Sequence, residues 1–389
     1  MRKLCDRFPS NVAYFPERAP GHSSTIGSLL QLVRIKPHHL TVHVPDGFID
    51  APVSAATGVV AATAVAVSLR GARRELDERT APLAGLVAAF IFAVQMLNFP
   101  VAAGTSGHLL GGALAAILVG PYTGVLCVSV VLLMQGILFA DGGLTALGVN
   151  ITDMAVVTTV VAYAVFRALV KVLPRGRRSI TVASFAAALL SVPAAAVAFT
   201  LIYWVGGTTD VSIGKVTTAM VGVHVLIGIG EATITALTVG AVVAVRPDLV
   251  HGARDLRQRL KLRVNGELVD APDPVAVPVA ARSHRKVWLA GLAASLVLAG
   301  GVSFYASASP DGLEKVAADQ GIDQKTEKHA SADSPLADYG VKDVDDARLS
   351  GGLAGVIGVG VTVVAGSAVF WAVRRRRTAD DVSPVSAGV

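Results

Sequence analysis

His43-Val44-Pro45-Asp46-Gly47-Phe48 runs almost directly into an apolar segment, 51–69, and that junction decides how the chain is read. The segment approaches the about 20 apolar residues that cross a bilayer as a helix. Eight more apolar runs follow, at 83–99, 107–119, 121–139, 150–170, 181–205, 215–245, 287–306 and 351–373, with 107–119 short. They are continuous Ala, Val, Leu and Gly without alternation of apolar and polar residues. Only helices and closed barrels satisfy their backbone in lipid, and barrel strands alternate, so these runs predict helices. Composition agrees: 53% of residues are apolar, 16% are charged and the mean hydropathy is +0.60, against about a quarter charged in soluble proteins. The predicted fold is an all-α integral membrane protein, a bundle of about seven helices followed by a two-helix module.

The net charge of +6 does not point to nucleic acid, because the basic residues cluster beside the apolar ends. The clusters are Arg70, Arg73 and Arg74; Arg167, Lys171, Arg175, Arg177 and Arg178; residues 246–263; Arg282, Arg285 and Lys286; and Arg374 to Arg377. Counting helices puts them all on one side, which the positive-inside rule makes the cytoplasm. Loops 99–106, 140–149, 206–214 and 307–350 then face outward. So does His43, and so does His108 at the end of Gly104-Thr105-Ser106-Gly107-His108. Two histidines at one membrane depth point to a metal ion, and imidazole suits nickel, copper and cobalt. Cys5 and Cys127 support neither a disulfide nor a zinc cluster.

Both histidine motifs resemble the cobalt and nickel substrate-binding membrane subunits of energy-coupling-factor transporters, and the resemblance covers Val42 to Val250. Chains of that family start Met-His-(Ile/Val)-Pro-Asp-Gly-Phe, which puts Val42 in the place of an initiator methionine read from a GUG codon. Residues 1–41 carry six basic and two acidic residues on what would be the outer side, with no apolar signal core. The expectation is that this leader is not translated; a genuine leader is the alternative. An amine at residue 42, the amide of His43 and its imidazole would close two fused rings around an ion, and His108 would complete a square plane. Tetragonal nitrogen sites suit Ni²⁺ and Cu²⁺. Pro45 stiffens the chain after the ligands and Asp46-Gly47 turns it towards the helix.

Around this pair, Gln95 and Asn98 lie one turn apart at the outer end of their helix, where they can orient the imidazoles or simply join helices. Thr105 and Ser106 are grouped with them. The loop Asp141 to Asn150 matches the family's outer loop and reads as a cover over the site, although Asp141 also suits a turn cap. His224 and Glu231, seven apart on one face of an apolar run, are expected to serve packing or coupling to a partner rather than metal contact.

Residues 251–286 read as a polar linker broken by Asp270-Ala-Pro-Asp-Pro, 287–373 as a two-helix module, and 374–389 as a cytoplasmic tail. Its outer segment 307–350 holds ten acidic and five basic residues, a net of 5 − 10 = −5. There, Pro310-Asp311-Gly312-Leu313-Glu314 resembles the small accessory subunit of nickel and cobalt transporters. The segment is expected to gather cations or gate the outer mouth without holding the bound ion.

The resemblance implies the substrate-capture component of an ATP-driven Co²⁺ or Ni²⁺ importer in a bacterial plasma membrane, with the ion as cargo and no resident cofactor. The chain lacks a Gly-x-x-x-x-Gly-Lys-(Ser/Thr) phosphate loop, so ATP hydrolysis falls to ATPase partners acting through a transmembrane coupling subunit. The alternatives are a vitamin-binding relative, a metal/proton antiporter and an intramembrane metalloenzyme. No His-Glu-x-x-His supports the last of these.

Overall fold

Asp50 accepts a hydrogen bond from the Val53 amide (2.9 Å) and Pro52 sits in the first turn, so helix α1, Ala51–Glu75, begins as soon as the His43–Phe48 head ends. The structure, a computed structural model, describes residues 43–76, 80–102, 104–256, 261–264, 267–270 and 285–381. Val42 and the leader 1–41 lie outside the described residues.

Six further helices complete the first bundle: α2 (Thr80–Gln95), α3 (Gly112–Val119), α4 (Pro121–Leu138), α5 (Leu147–Val172), α6 (Arg177–Gly206) and α7 (Ile213–Val245). The second module is α8 (Arg285–Gly300), the short α9 (Gly312–Gln320) and α10 (Ala347–Asp381). Among the described residues seven helical segments are long and apolar enough to cross a membrane, and α2 is a shorter apolar one. The all-α membrane fold predicted from the apolar runs is the one observed.

Run 107–119 is not a helix throughout. Only α3 is helical, and its eight residues rise about 12 Å, far short of a hydrocarbon core of about 30 Å. The missing length is irregular backbone at 108–111, and all of α3 is buried in protein. Non-helical chain at membrane depth is tolerated where protein or a cavity surrounds it, and here it carries His108.

The far end of α1 is fixed by Glu75, whose carboxylate accepts from Tyr122 N (3.2 Å), Thr123 N (2.7 Å) and Thr123 Oγ1 (2.8 Å) and so satisfies the open amides at the start of α4. The near end of α1 meets the end of α6 through Asp50 N to Gly206 O (2.7 Å). The His43 head and the basic helix ends Arg73, Arg74, Arg177 and Arg246 therefore fall at opposite ends of the bundle.

The second module packs against the first to form one unit. Helix α2 is buried nearly all round because α10 lies along it: a Cβ on Gly85 would come within 2.5 Å of Ser367 Oγ. Small residues let the two backbones approach closely. Two antiparallel strand pairs occur, β1 (Phe99–Pro100) with β2 (Ser106–Gly107), and β3 (Lys261–Val264) with β4 (Glu267–Asp270). The second pair is a hairpin inside the linker, where the sequence shows only a break.

Candidate metal site

The head 43–48 is held by the loop 141–150 on two sides. Asn150 clamps one backbone unit, accepting from Val44 N (3.0 Å) and donating to Val44 O (3.1 Å), while Asp46 Oδ1 accepts from Thr145 N (2.8 Å). The turn between them needs Gly47: its φ is +90°, and a Cβ there would strike Lys325 O at 2.1 Å. These contacts bury His43 to 2% exposure.

His108 arrives from the loop before α3, and the two rings meet edge to face with centroids 5.5 Å apart. His108 Nδ1 lies 3.1 Å from Leu109 O. A carbonyl only accepts, so Nδ1 carries the proton and Nε2 keeps its lone pair, the arrangement typical of a metal-binding histidine.

Asp141 sits against His43 itself, with Oδ2 3.1 Å from His43 Nδ1 and Oδ1 accepting from His43 N at 3.3 Å. It therefore faces the two His43 nitrogens that a fused-ring chelate would use. Tyr339 of the second module donates its hydroxyl to Asp141 Oδ2 (2.6 Å). Ala140 and Tyr339, which flank this bond, both take left-handed backbone, φ 54° and 57°; such outliers gather at functional sites. Burial alone would raise the Asp141 pKa, but His43, Tyr339 and His108 outweigh it and hold the carboxyl below its usual range. Both His43 ring nitrogens are buried; Nδ1 has the Asp141 carboxylate beside it without a well-aligned hydrogen bond, and Nε2 has no hydrogen-bond partner among the described residues.

The rings border a cavity of about 40 Å³, above the roughly 10–15 Å³ that a water needs. Its wall also includes His224, Asp153, Asp311, Met154 and Met220. The placement of His224 differs from the expected packing role: its Nδ1 is bound to Met220 O (2.8 Å) and its ring lines the same cavity as His43 and His108. Glu231 lies outside the cavity and accepts from Leu110 N (2.7 Å) and Gly111 N (3.1 Å), bracing the loop that presents His108.

Among the described residues, no hydrogen bond joins Gln95, Asn98, Thr105 or Ser106 to either imidazole. Gln95 Nε2 donates to Leu110 O (3.1 Å), Asn98 O accepts from Ser307 N (2.7 Å), and Thr105 Oγ1 bonds Ala102 O (2.6 Å). Ser106 is tied to the second module, through N to Pro310 O (2.8 Å) and Oγ to Ser309 O (2.7 Å). The loop Asp141–Asn150 grips the head from beside it, and the second module's outer segment does the covering: Glu327 N bonds Asp46 O (3.0 Å) and His329 Nε2 lies 3.0 Å from Gly142 O.

Asp153 and Asp311 were not read as site residues. A lone Asp within the apolar run 150–170 was an available signal, since ionisable groups at that depth are costly and usually functional. The structure puts it on a π-helical stretch, Ile151–Val157, with Oδ1 buried and unpartnered; π-bulges too are frequent at functional sites. Asp311 gave no such signal, being 203 residues from His108.

Comparison with known proteins gives the family of the chain. Residues 43–249 match the family described as the cobalt uptake substrate-specific transmembrane region, and residues 285–375 match the PDGLE domain. A protein of Haloquadratum walsbyi named for metal transport is 40% identical over 54% of this chain and 93% of its own. One of Archaeoglobus fulgidus named for fused nickel transport is 42% identical over 54% and 68%. A cobalt transport protein of Geobacter sulfurreducens is 32% identical over 77% and 83%. The chain is thus a multi-pass membrane protein and a component of metal transport rather than an enzyme, and it belongs to the cobalt uptake substrate-specific transmembrane family, with a PDGLE domain fused behind.

Proposed function

We propose that this chain captures Co²⁺ or Ni²⁺ between His43 and His108 and passes it to an ATP-driven importer built with a transmembrane coupling subunit and ATPase subunits. The observation that carries the proposal is the meeting of two buried imidazoles, from loops 65 residues apart, over one small cavity. With metal–nitrogen bonds of about 2.0–2.1 Å, rings 5.5 Å apart can share one ion. Asp141 supplies a negative charge beside the cation and orients the His43 ring. An amine at residue 42, if initiation there frees one, adds a third nitrogen, and the chelate then displaces Asp141 from His43 Nδ1. Intact-mass analysis of the native protein reports whether that amine exists.

Equilibrium dialysis of the detergent-purified full chain with Ni²⁺ or Co²⁺ tests the proposal. The parent should retain one ion per chain. His43→Ala and His108→Ala should each lose more than the roughly 10–100-fold that outer partners of a metal account for, while remaining folded by thermal melting. Parent-like binding by His108→Ala would remove the basis of the proposal.

A further inference from the structure

The second module also reaches into the site. Asp311 is 3% exposed, and its two carboxylate oxygens have different surroundings. Oδ1 accepts from Glu314 N (2.7 Å) and caps α9, in a capping box completed by the Glu314 side chain. Oδ2 faces His108 Nε2 at 3.9 Å. That distance is too long for a hydrogen bond. The His108 proton is on Nδ1, facing Leu109 O, so Nε2 and a carboxylate oxygen present lone pairs to each other inside a buried cavity. Two acceptors so placed repel unless a proton or a metal ion lies between them. Burial does raise the pKa of the Asp311 carboxyl, so a bound metal ion would take the place of that proton. The gap fits such an ion: half of 3.9 Å is about 2.0 Å, the length of a bond from a first-row divalent ion to nitrogen or carboxylate oxygen.

Nor is the position of Asp311 incidental. Ser106 binds Ser309 O and Pro310 O, which fixes the residues just before Asp311 to the loop of His108. Gly312 just after it is pressed on α7, where a Cβ would come within 2.7 Å of Val223 Cγ1 and 3.4 Å of His224 Cε1. We propose that Asp311 supplies an oxygen ligand to the captured ion, so that the binding site is shared between the first bundle and the fused second module. This rests on the assignment of His108 Nε2 as a ligand, and it deepens that assignment.

The test uses Asp311→Asn and Asp311→Ser in the full chain. Both residues cap a helix about as well as Asp, so α9 is kept, but neither offers a carboxylate to the ion. Ni²⁺ affinity should fall by roughly tenfold or more, at least the loss that outer partners of a metal cause, and the visible absorption of bound Co²⁺ should change. Parent affinity together with the parent Co²⁺ spectrum in both variants would overturn the role of Asp311. His108→Ala, measured alongside, separates the two claims. If it loses the ion while the Asp311 variants match the parent, the histidine site stands and only Asp311 is rejected. If it binds like the parent, the histidine site fails first.

Discussion

At His108, one set of contacts decides both protonation and readiness to bind. The ring is buried next to a second imidazole and its Nδ1 faces a carbonyl. ¹⁵N NMR of the metal-free, detergent-solubilised protein should therefore show the His108 proton on Nδ1. A proton on Nε2 would contradict the arrangement. Asp141→Ala should weaken metal affinity roughly 10–100-fold, because it removes the group that holds His43 by two atoms; unchanged affinity in a metal titration would count against that role. At this scale His43 and His108 were legible, since each stands in a short motif beside an apolar run. The partnership of Asp141 with His43 was not, because it joins residues 98 apart and nothing local in either loop encodes it.

The elements that position these residues are held by backbone capping as much as by apolar packing. Glu231 accepts two amides from the 108–111 loop. Glu231→Ala should leave both buried donors open at about 1–3 kcal/mol each. The expected outcome is a lower melting temperature in detergent and weaker metal binding with both histidines intact. Glu231→Gln, which keeps one acceptor oxygen, should fall between, and equal behaviour of the three proteins would show that the brace does not matter. Hydropathy made the long helices readable because their apolar runs match the bilayer. It misread 107–119, where the first five of thirteen residues are not helical, since a buried loop of apolar residues looks like helix in composition. The hairpin 261–270 and the π-helical stretch 151–157 left no periodic signal.

In the whole molecule, the second module lines the cavity beside the two histidines, through Asp311, Gly312 and Leu313. The charge of the segment 307–350 suggested action at the outer mouth, with metal affinity independent of it. The contacts of Ser106, Asp46, Gly142 and Asp141 with this segment point the other way. Removing 287–389 should lower metal affinity by about tenfold or more, as loss of outer partners does, and not transport alone. Dialysis of the truncated protein, with its melting temperature checked, reads this directly. Sequence marked the apolar runs well enough to anticipate the long helices, but their packing, α10 along α2 and the outer segment over the head, depends on pairings across more than 200 residues. The central claim, a transition-metal ion held between two histidines, is tested most directly by X-ray absorption on the Ni²⁺-loaded full chain. The expected spectrum shows two imidazoles bound to nickel, reduced to one in His43→Ala and in His108→Ala where any ion is retained. A spectrum without imidazole scattering, or one that either substitution leaves unchanged, would contradict it.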